Sequence, residues 1–180
     1  SETTQNLYTH QTGTISTMRI LQNIHDGLVT TDKNLNIIPE LAESYEVSKD
    51  GMSYTFKLRN GVKFHDGSDM TSADVKYSFE KIMDPETGAV NKPVFNSVGS
   101  IETPDDHTVV IKMDSVNAPF LGRLAALGAG AVIPKGSAET QGENPVGAGP
   151  LKFVRREFGN EVELERFDDY WNGAACIDRL

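Results

Sequence analysis

A chain of 180 residues with 38% hydrophobic content is long enough to bury a core, as one domain or two small ones, and that composition excludes general disorder. Charged residues make up 24% and the formal net charge is -9, with both signs scattered along the chain. Nucleic acid is excluded as a partner, because binding phosphates needs a clustered basic face that releases counterions. The longest apolar stretches, such as residues 124–133, are broken by glycines and fall short of the roughly 20 residues of a membrane span. No basic start leads into an apolar run and a small-residue cleavage site, so an export signal either does not exist or has been removed. With Cys176 as the single cysteine, an internal disulfide and a thiolate zinc cluster are ruled out. Cys176 is expected to be a small buried apolar residue.

Residues 9–14 read as loop. Over residues 16–28, Met18, Leu21, Ile24 and Leu28 recur at three- and four-residue intervals, which predicts an amphipathic helix. Val29, the polar turn Asp32-Lys33-Asn34, and Leu35, Ile37 and Ile38 then predict a first hairpin. The second hairpin signal is stronger. Tyr45 and Val47 lead into Ser48-Lys49-Asp50-Gly51, after which Tyr54, Phe56 and Leu58 alternate with Ser53, Thr55 and Lys57. A turn at Asn60-Gly61 carries the chain through Val62 and Phe64 to a helix whose start is marked by Thr71, with Asp74 as an imperfect capping box. Val75, Phe79, Ile82 and Met83 give that helix its buried stripe, and Asp84-Pro85 stops it.

Strands return at Ile101, with a turn at Pro104-Asp105-Asp106 and Val109, Ile111 and Met113 alternating with Val110 and Lys112. A helix is expected over residues 118–126 and a short strand over residues 131–133, ended by Pro134. Residues 136–149 read as loop, and a last strand pair over 151–156 and 161–166 turns at Gly159-Asn160. There is no internal repeat. Hairpins mixed with separated helices predict an α+β fold with mixed, mainly antiparallel sheets and flanking helices.

Several chemical motifs fail on inspection. Asp32, Asn34, Asn36 and Glu43 copy the ligand spacing of a calcium loop, but Ile37 stands where its sharp turn needs glycine. Gly128-Ala129-Gly130 lacks the third glycine of a dinucleotide turn and leads into Pro134 in place of a helix. Lys135-Gly136-Ser137 holds the residues of a phosphate loop in the wrong order. His10, His25, His65 and His107 share no two-histidine helical spacing and read as surface or turn histidines, His107 most plainly. There is no Gly-x-Ser-x-Gly elbow, Cys176 has no histidine nearby in sequence, and Asp168-Asp169 would alternate faces if extended. No metal, cofactor or catalytic residue is expected, and the chain reads as a binder rather than an enzyme.

The run Pro39-Glu40-Leu41-Ala42-Glu43-Ser44-Tyr45, then Ser48-Lys49-Asp50-Gly51, resembles the signature stretch of family 5 bacterial extracellular solute-binding proteins. The continuation from Tyr54 through Arg59-Asn60-Gly61-Val62-Lys63-Phe64-His65-Asp66-Gly67, and from Thr71 to Phe79, is similar nearly throughout, with Asp69 where proline is common. Weaker marks agree: Ala118-Pro119-Phe120-Leu121, Pro145-Val146-Gly147-Ala148-Gly149-Pro150 with Ala148 in place of the usual threonine, and Asp169-Tyr170-Trp171-Asn172-Gly173.

The resemblance implies part of the first lobe of a two-lobed, type II periplasmic-binding clamshell, with the second lobe absent. Residues 1–45 with 145–180 would form a cleft-side subdomain and residues 46–144 a peripheral one. It implies an extracytoplasmic component of an ABC importer, periplasmic or membrane-associated and monomeric, that binds di- or oligopeptides and delivers them to the permease subunits. A nickel chelate, haem, glutathione or sugar as ligand, or a non-transporting sensor, are the alternatives. By position in the family, Thr12, Gly13, Thr14, Ile15 and Met18 map onto the cleft border. Asn91 and the run 127–131, with Gly128 and Gly130, follow by looser resemblance. Small residues and hydroxyls there suit close approach to a peptide, although the helical stripe alone also explains Met18.

Overall fold

The computed structural model describes residues 6–126, 128–158 and 160–180. Its largest element is an antiparallel four-stranded sheet in the order β3-β4-β6-β5, made of β3 (Ala42–Val47), β4 (Ser53–Leu58), β5 (Val98–Asp105) and β6 (Thr108–Met113). The β3–β4 hairpin turns where Asp50-Gly51 predicts, Gly51 taking φ 70° and Asp50 Oδ1 accepting from the Met52 N–H. Its alternation is realised on one face: Tyr54, Phe56 and Leu58 are buried against the core.

The helix α2 (Ser72–Met83) packs on β5 and β6 and buries Val75, Phe79 and Ile82. Its start is a working capping box, in which Asp74 Oδ2 accepts from the Thr71 N–H at 2.8 Å and the Thr71 hydroxyl at 2.9 Å. Asp84 ends it, its backbone turned out of the helical region ahead of Pro85. Two 3₁₀ turns (Pro85–Thr87 and Lys92–Phe95) follow. Phe79, Phe95, Phe120 and Tyr54 then stack in sequence at centroid distances of 5.1, 6.0 and 5.0 Å, joining helix, turn and sheet in one core.

The first hairpin forms as β1 (Val29–Thr31) and β2 (Ile37–Pro39), and the last as β7 (Leu151–Glu157) and β8 (Glu161–Arg166). Of the turn predicted between those last strands, Gly159 lies outside the described residues. All strand pairs among the described residues are antiparallel. A second apolar cluster, Leu7, Leu21, Ile24, Leu151 and Leu164, sits between α1 (Ile15–Leu21) and the β7–β8 pair.

Several expectations are corrected. The predicted helix over 16–28 ends at Leu21, because the Asn23 and Ile24 carbonyls accept from Leu151 and Gly149 and are lost to a continuing helix. The apolar spacing misleads there: Ile24 enters the second cluster and Leu28 the main core. The helix expected over 118–126 is only α3 (Phe120–Leu124). The strand expected over 131–133 is reduced to one bridge between Gly27 and Ala131, and the Ile133 N–H bonds the Ser78 hydroxyl at 2.9 Å. β5 begins at Val98, ahead of Ile101, and turns at Asp106 and His107. Cys176 is exposed, contrary to the burial expected of it. His10 and His25 are buried, contrary to a surface position, whereas His10, His65 and His107 all lie in turns, the last two half-buried.

Candidate ligand-binding groove

A groove of about 640 Å³ opens between the end of α1, the chain at residues 23–27, strand β1, Glu40, the C-terminal part of α3 and the loop at residues 128–131. Two glycines shape that loop. Gly128 holds φ 72°, a left-handed conformation that side chains disfavour, and a Cβ on Gly130 would come within 2.9 Å of Leu124. The loop is clipped to the chain after α1 by the Val132 N–H donating to the Asp26 carbonyl at 3.0 Å and by the Gly27–Ala131 bridge.

Two carboxyls sit in this wall. Asp26, 5% exposed, accepts from the Trp171 Nε1–H at 2.7 Å and the Tyr170 hydroxyl at 3.0 Å, both on Oδ2. Glu40 Oε2 accepts from the Gly27 N–H at 2.8 Å, and the Glu40 carbonyl accepts from Arg59 Nε at 2.6 Å. Burial pushes the Asp26 carboxyl up to about 6, against the pull of the Trp171 and Tyr170 donors. Burial, and then the Asp26 charge, push Glu40 up to about 7. Burial and the two carboxyls raise the Tyr170 phenol, so it stays a donor. The Arg59 guanidinium lies 4.5 Å from the centre of the Trp171 ring, which fixes the indole from its other side.

The histidines in and around the groove are neutral. Burial lowers His10 to about 4, and a ring protonated on Nε2 satisfies both the Ala131 carbonyl at 3.0 Å and the Tyr8 hydroxyl at 3.3 Å. His25 is held well below its usual range by burial and then by His65, and neither of its ring nitrogens has a hydrogen-bond partner. Burial lowers His65 to about 4 against its bond to the Gly149 carbonyl. The described lining includes no lysine or arginine; its ionisable groups are Asp26, Glu40 and His25. Such a wall accepts hydrogen bonds from a ligand and favours positive or N–H-rich groups over anions.

Of the residues singled out from sequence, Met18, Gly128 and Gly130 line this groove, and the Met18 methyl stands 3.6 Å from where a Gly128 Cβ would be. Thr12, Gly13, Thr14, Ile15 and Asn91 do not line it. They form a shoulder beside it: the Val90 N–H bonds the His10 carbonyl at 2.9 Å, and Gly13 faces Val90. On that shoulder Thr12 is buried, Gly13, Thr14 and Ile15 are exposed, and the Asn91 Nδ2 is buried without a partner. Leu127 of the predicted run lies outside the described residues. Sequence reasoning missed Thr9, Asp26, Thr30, Thr31 and Glu40. The available signal was an acid, Asp26, set among the apolar residues of the first stripe with no charge partner nearby in sequence.

Residues 36–180 match the model of the bacterial extracellular solute-binding proteins, family 5 Middle. The glutathione-binding protein GsiB of Pectobacterium atrosepticum is 36% identical over 167 residues, covering 89% of this chain and 32% of that protein. Among solved structures, the binding protein AgaA of A.tumefacien R10 in complex with agropinic acid superposes with a TM-score of 0.86 at 39% identity, over 92% of this chain and 34% of its own. The oligopeptide-binding protein AppA of Bacillus subtilis, in complex with a nonapeptide, does so at 0.87 and 26% identity, over 96% of this chain and 36% of its own. The chain thus spans about a third of the length of the relatives it matches and has the type II periplasmic-binding-protein fold. By matched sequence and by fold, the chain belongs to the family 5 bacterial extracellular solute-binding proteins, a family of substrate-binding proteins.

Proposed function

We propose that this chain is the first-lobe part of an extracytoplasmic peptide-binding protein, monomeric, periplasmic or membrane-associated, that hands di- or oligopeptides to the permease subunits of an ABC importer. The observation that carries the reading is the groove. It combines apolar surface from Met18, Leu21, Val29 and Leu124 with acceptors from Asp26 and Glu40 and hydroxyls from Thr9, Thr30 and Thr31. A peptide supplies the complementary set: backbone N–H donors, an ammonium end and side chains that an adaptable methionine can follow. The shoulder at Thr12, Gly13, Thr14, Ile15 and Asn91 would meet the ligand or the opposing lobe. The division into a cleft-side part (residues 1–45 and 145–180) and a peripheral part (residues 46–144) would place the second apolar cluster beside the cleft. Binding needs no covalent chemistry; contacts made by both lobes only when closed shift an open–closed equilibrium.

The test is a thermal-shift screen of the full two-lobed protein against di- to pentapeptides, with glutathione, agropinic acid, nickel with histidine, haem and oligosaccharides as competing arms. A ligand confined to the folded state stabilises it by about 2.7 kcal/mol at a hundredfold excess over Kd. Stabilisation by peptides alone is expected. Stabilisation by another arm alone reassigns the ligand, and a cleanly folded sample that no arm shifts overturns peptide binding.

A further inference from the structure

The two carboxyls, Asp26 buried and Glu40 half-buried, meet with residues 170–171 at one point of the groove wall. Asp26 follows α1, Glu40 joins β2 to β3, and Tyr170 and Trp171 come from 144 and 145 residues further along than Asp26. The peptide-binding reading uses Asp26 and Glu40 as acceptors and makes no use of their link to Tyr170 and Trp171. Both donors from residues 170 and 171 converge on one oxygen, Asp26 Oδ2. Among the described residues neither carboxylate forms a salt bridge.

We propose that Asp26 and Glu40 form a proton-operated clamp on the groove wall: with one proton held on Glu40, Asp26 grips Tyr170 and Trp171, and loss of that proton loosens the 170–171 segment.

The assignment of the proton follows from the bonds. Two donors on Asp26 Oδ2 favour its charged form, whereas Glu40 receives a single backbone N–H and feels the Asp26 charge. Two interacting carboxyls of this kind titrate as a pair, and the second charge is resisted by the first. The groups facing the pair do not remove that cost. His25, next in sequence, is buried and neutral, and Tyr170 is a neutral donor. Arg59 is the one cation in contact with the junction among the described residues. It stacks on the far face of Trp171 and bonds the Glu40 carbonyl, not its carboxylate, while Glu43 borders the same recess. When Glu40 ionises, repulsion pushes the two acids apart, and because Asp26 Oδ2 is the acceptor that Tyr170 and Trp171 share, its displacement is felt at the 170–171 segment. The recess walled by Trp171 and Arg59 then changes with the groove.

Trp171 is the only tryptophan in the chain, so its indole N–H reports the clamp directly. The measurement is the indole cross-peak of ¹⁵N-tryptophan-labelled protein between pH 5 and 8.5, assigned by its loss in Trp171→Phe. In the unaltered protein the peak should titrate with a midpoint between about 6 and 7, the range of the paired carboxyls. In Glu40→Gln, which keeps the shape and removes the second charge, the step owed to Glu40 should be lost, leaving only that of Asp26, which burial holds at about 6. An indole peak that is constant across the range in the unaltered protein, or one that titrates identically in Glu40→Gln, overturns the clamp. Neither result depends on whether peptides bind.

Discussion

The sheet-and-helix core and the groove wall are built on opposite principles. Around β4, β6 and α2 the buried side chains are mostly apolar and aromatic, with Phe56, Phe79, Val109 and Ile111 fully enclosed and Ser72, Asp74, Ser78 and Thr108 as the polar exceptions. Around the groove the buried set includes Asp26, His10, His25 and Thr9 alongside the small cluster of Leu7, Leu21, Ile24, Leu151 and Leu164. The first region is stabilised by removal of apolar surface from water, which is insensitive to pH. The second gives up some of that stabilisation to keep polar groups where a ligand can reach them, and its stability is tied to protonation.

The largest effect that tests this contrast is Phe79→Ala. Phe79 is fully buried and stacks on Phe95, so its removal should cost about 3–5 kcal/mol in urea unfolding. That loss should be the same at pH 5 and pH 8; a pH-dependent loss would mean the two regions are not separable.

Next comes the pH profile itself. His10 and His65 are lowered to about 4 in the folded chain, below the ordinary 6.5, so as pH falls the unfolded chain takes protons first. Stability should drop from pH 6.5 toward pH 4, by up to about 3 kcal/mol for each ring. Asp26 and Glu40 run the other way. Their folded values, about 6 and about 7, lie above the ordinary range, so their contribution is complete at low pH and is lost as pH rises through those values. Between about pH 4 and 7 the two pairs therefore oppose each other, and Glu40→Gln, which removes one of the opposing acids, should make the melting temperature rise more steeply with pH over that range. A slope left unchanged by Glu40→Gln would contradict the raised Glu40 value, and a stability that does not fall below pH 5 in that variant would contradict the lowered histidines.

The same contrast decides what could be read in the sequence. The β3–β4 hairpin was legible because Tyr54, Phe56 and Leu58 face one core at a period of two and Asp50-Gly51 supplies the turn. The helix α2 was legible because Thr71, Asp74 and Asp84-Pro85 are local signals within one element. The groove was not, since Asp26, Glu40 and Trp171 share no local pattern and meet only through the fold. The stripe of Met18, Leu21, Ile24 and Leu28 went further and misled, because residues entering two different clusters can keep helical spacing without a helix. Family resemblance reached Met18, Gly128 and Gly130, where position in the chain suffices, and stopped at the shoulder for the rest.

A smaller effect probes a polar device at the start of α2 on which the apolar region depends. Thr71→Ala removes the hydroxyl from the α2 capping box and should cost about 1 kcal/mol, measured by the same urea unfolding. Because Asp74 also accepts from the Lys135 N–H at 2.8 Å, the carboxylate should remain in place, and the loss should stay well short of that from Phe79→Ala.

The smallest effect lies on the solvent side of the groove region. Lys152 and Glu165 are directly opposed on β7 and β8, with a 2.9 Å ion pair whose side chains are 38% and 36% exposed. Water screens such a pair and holding two long side chains together costs entropy, so a double-mutant cycle with Lys152→Ala and Glu165→Ala should give a coupling of about 0.2–1 kcal/mol. High salt should shrink it further. The pair of buried Asp26 and half-buried Glu40 differs in this respect: with Asp26 enclosed by the protein, its interaction should survive salt that abolishes the Lys152–Glu165 coupling. Measuring both cycles in low and high salt separates charge that decorates the β7–β8 surface from charge built into the groove wall. Equal salt sensitivity in the two would mean that Asp26 and Glu40 are as solvated as the surface pair, and their raised values would then have lost the burial that causes them.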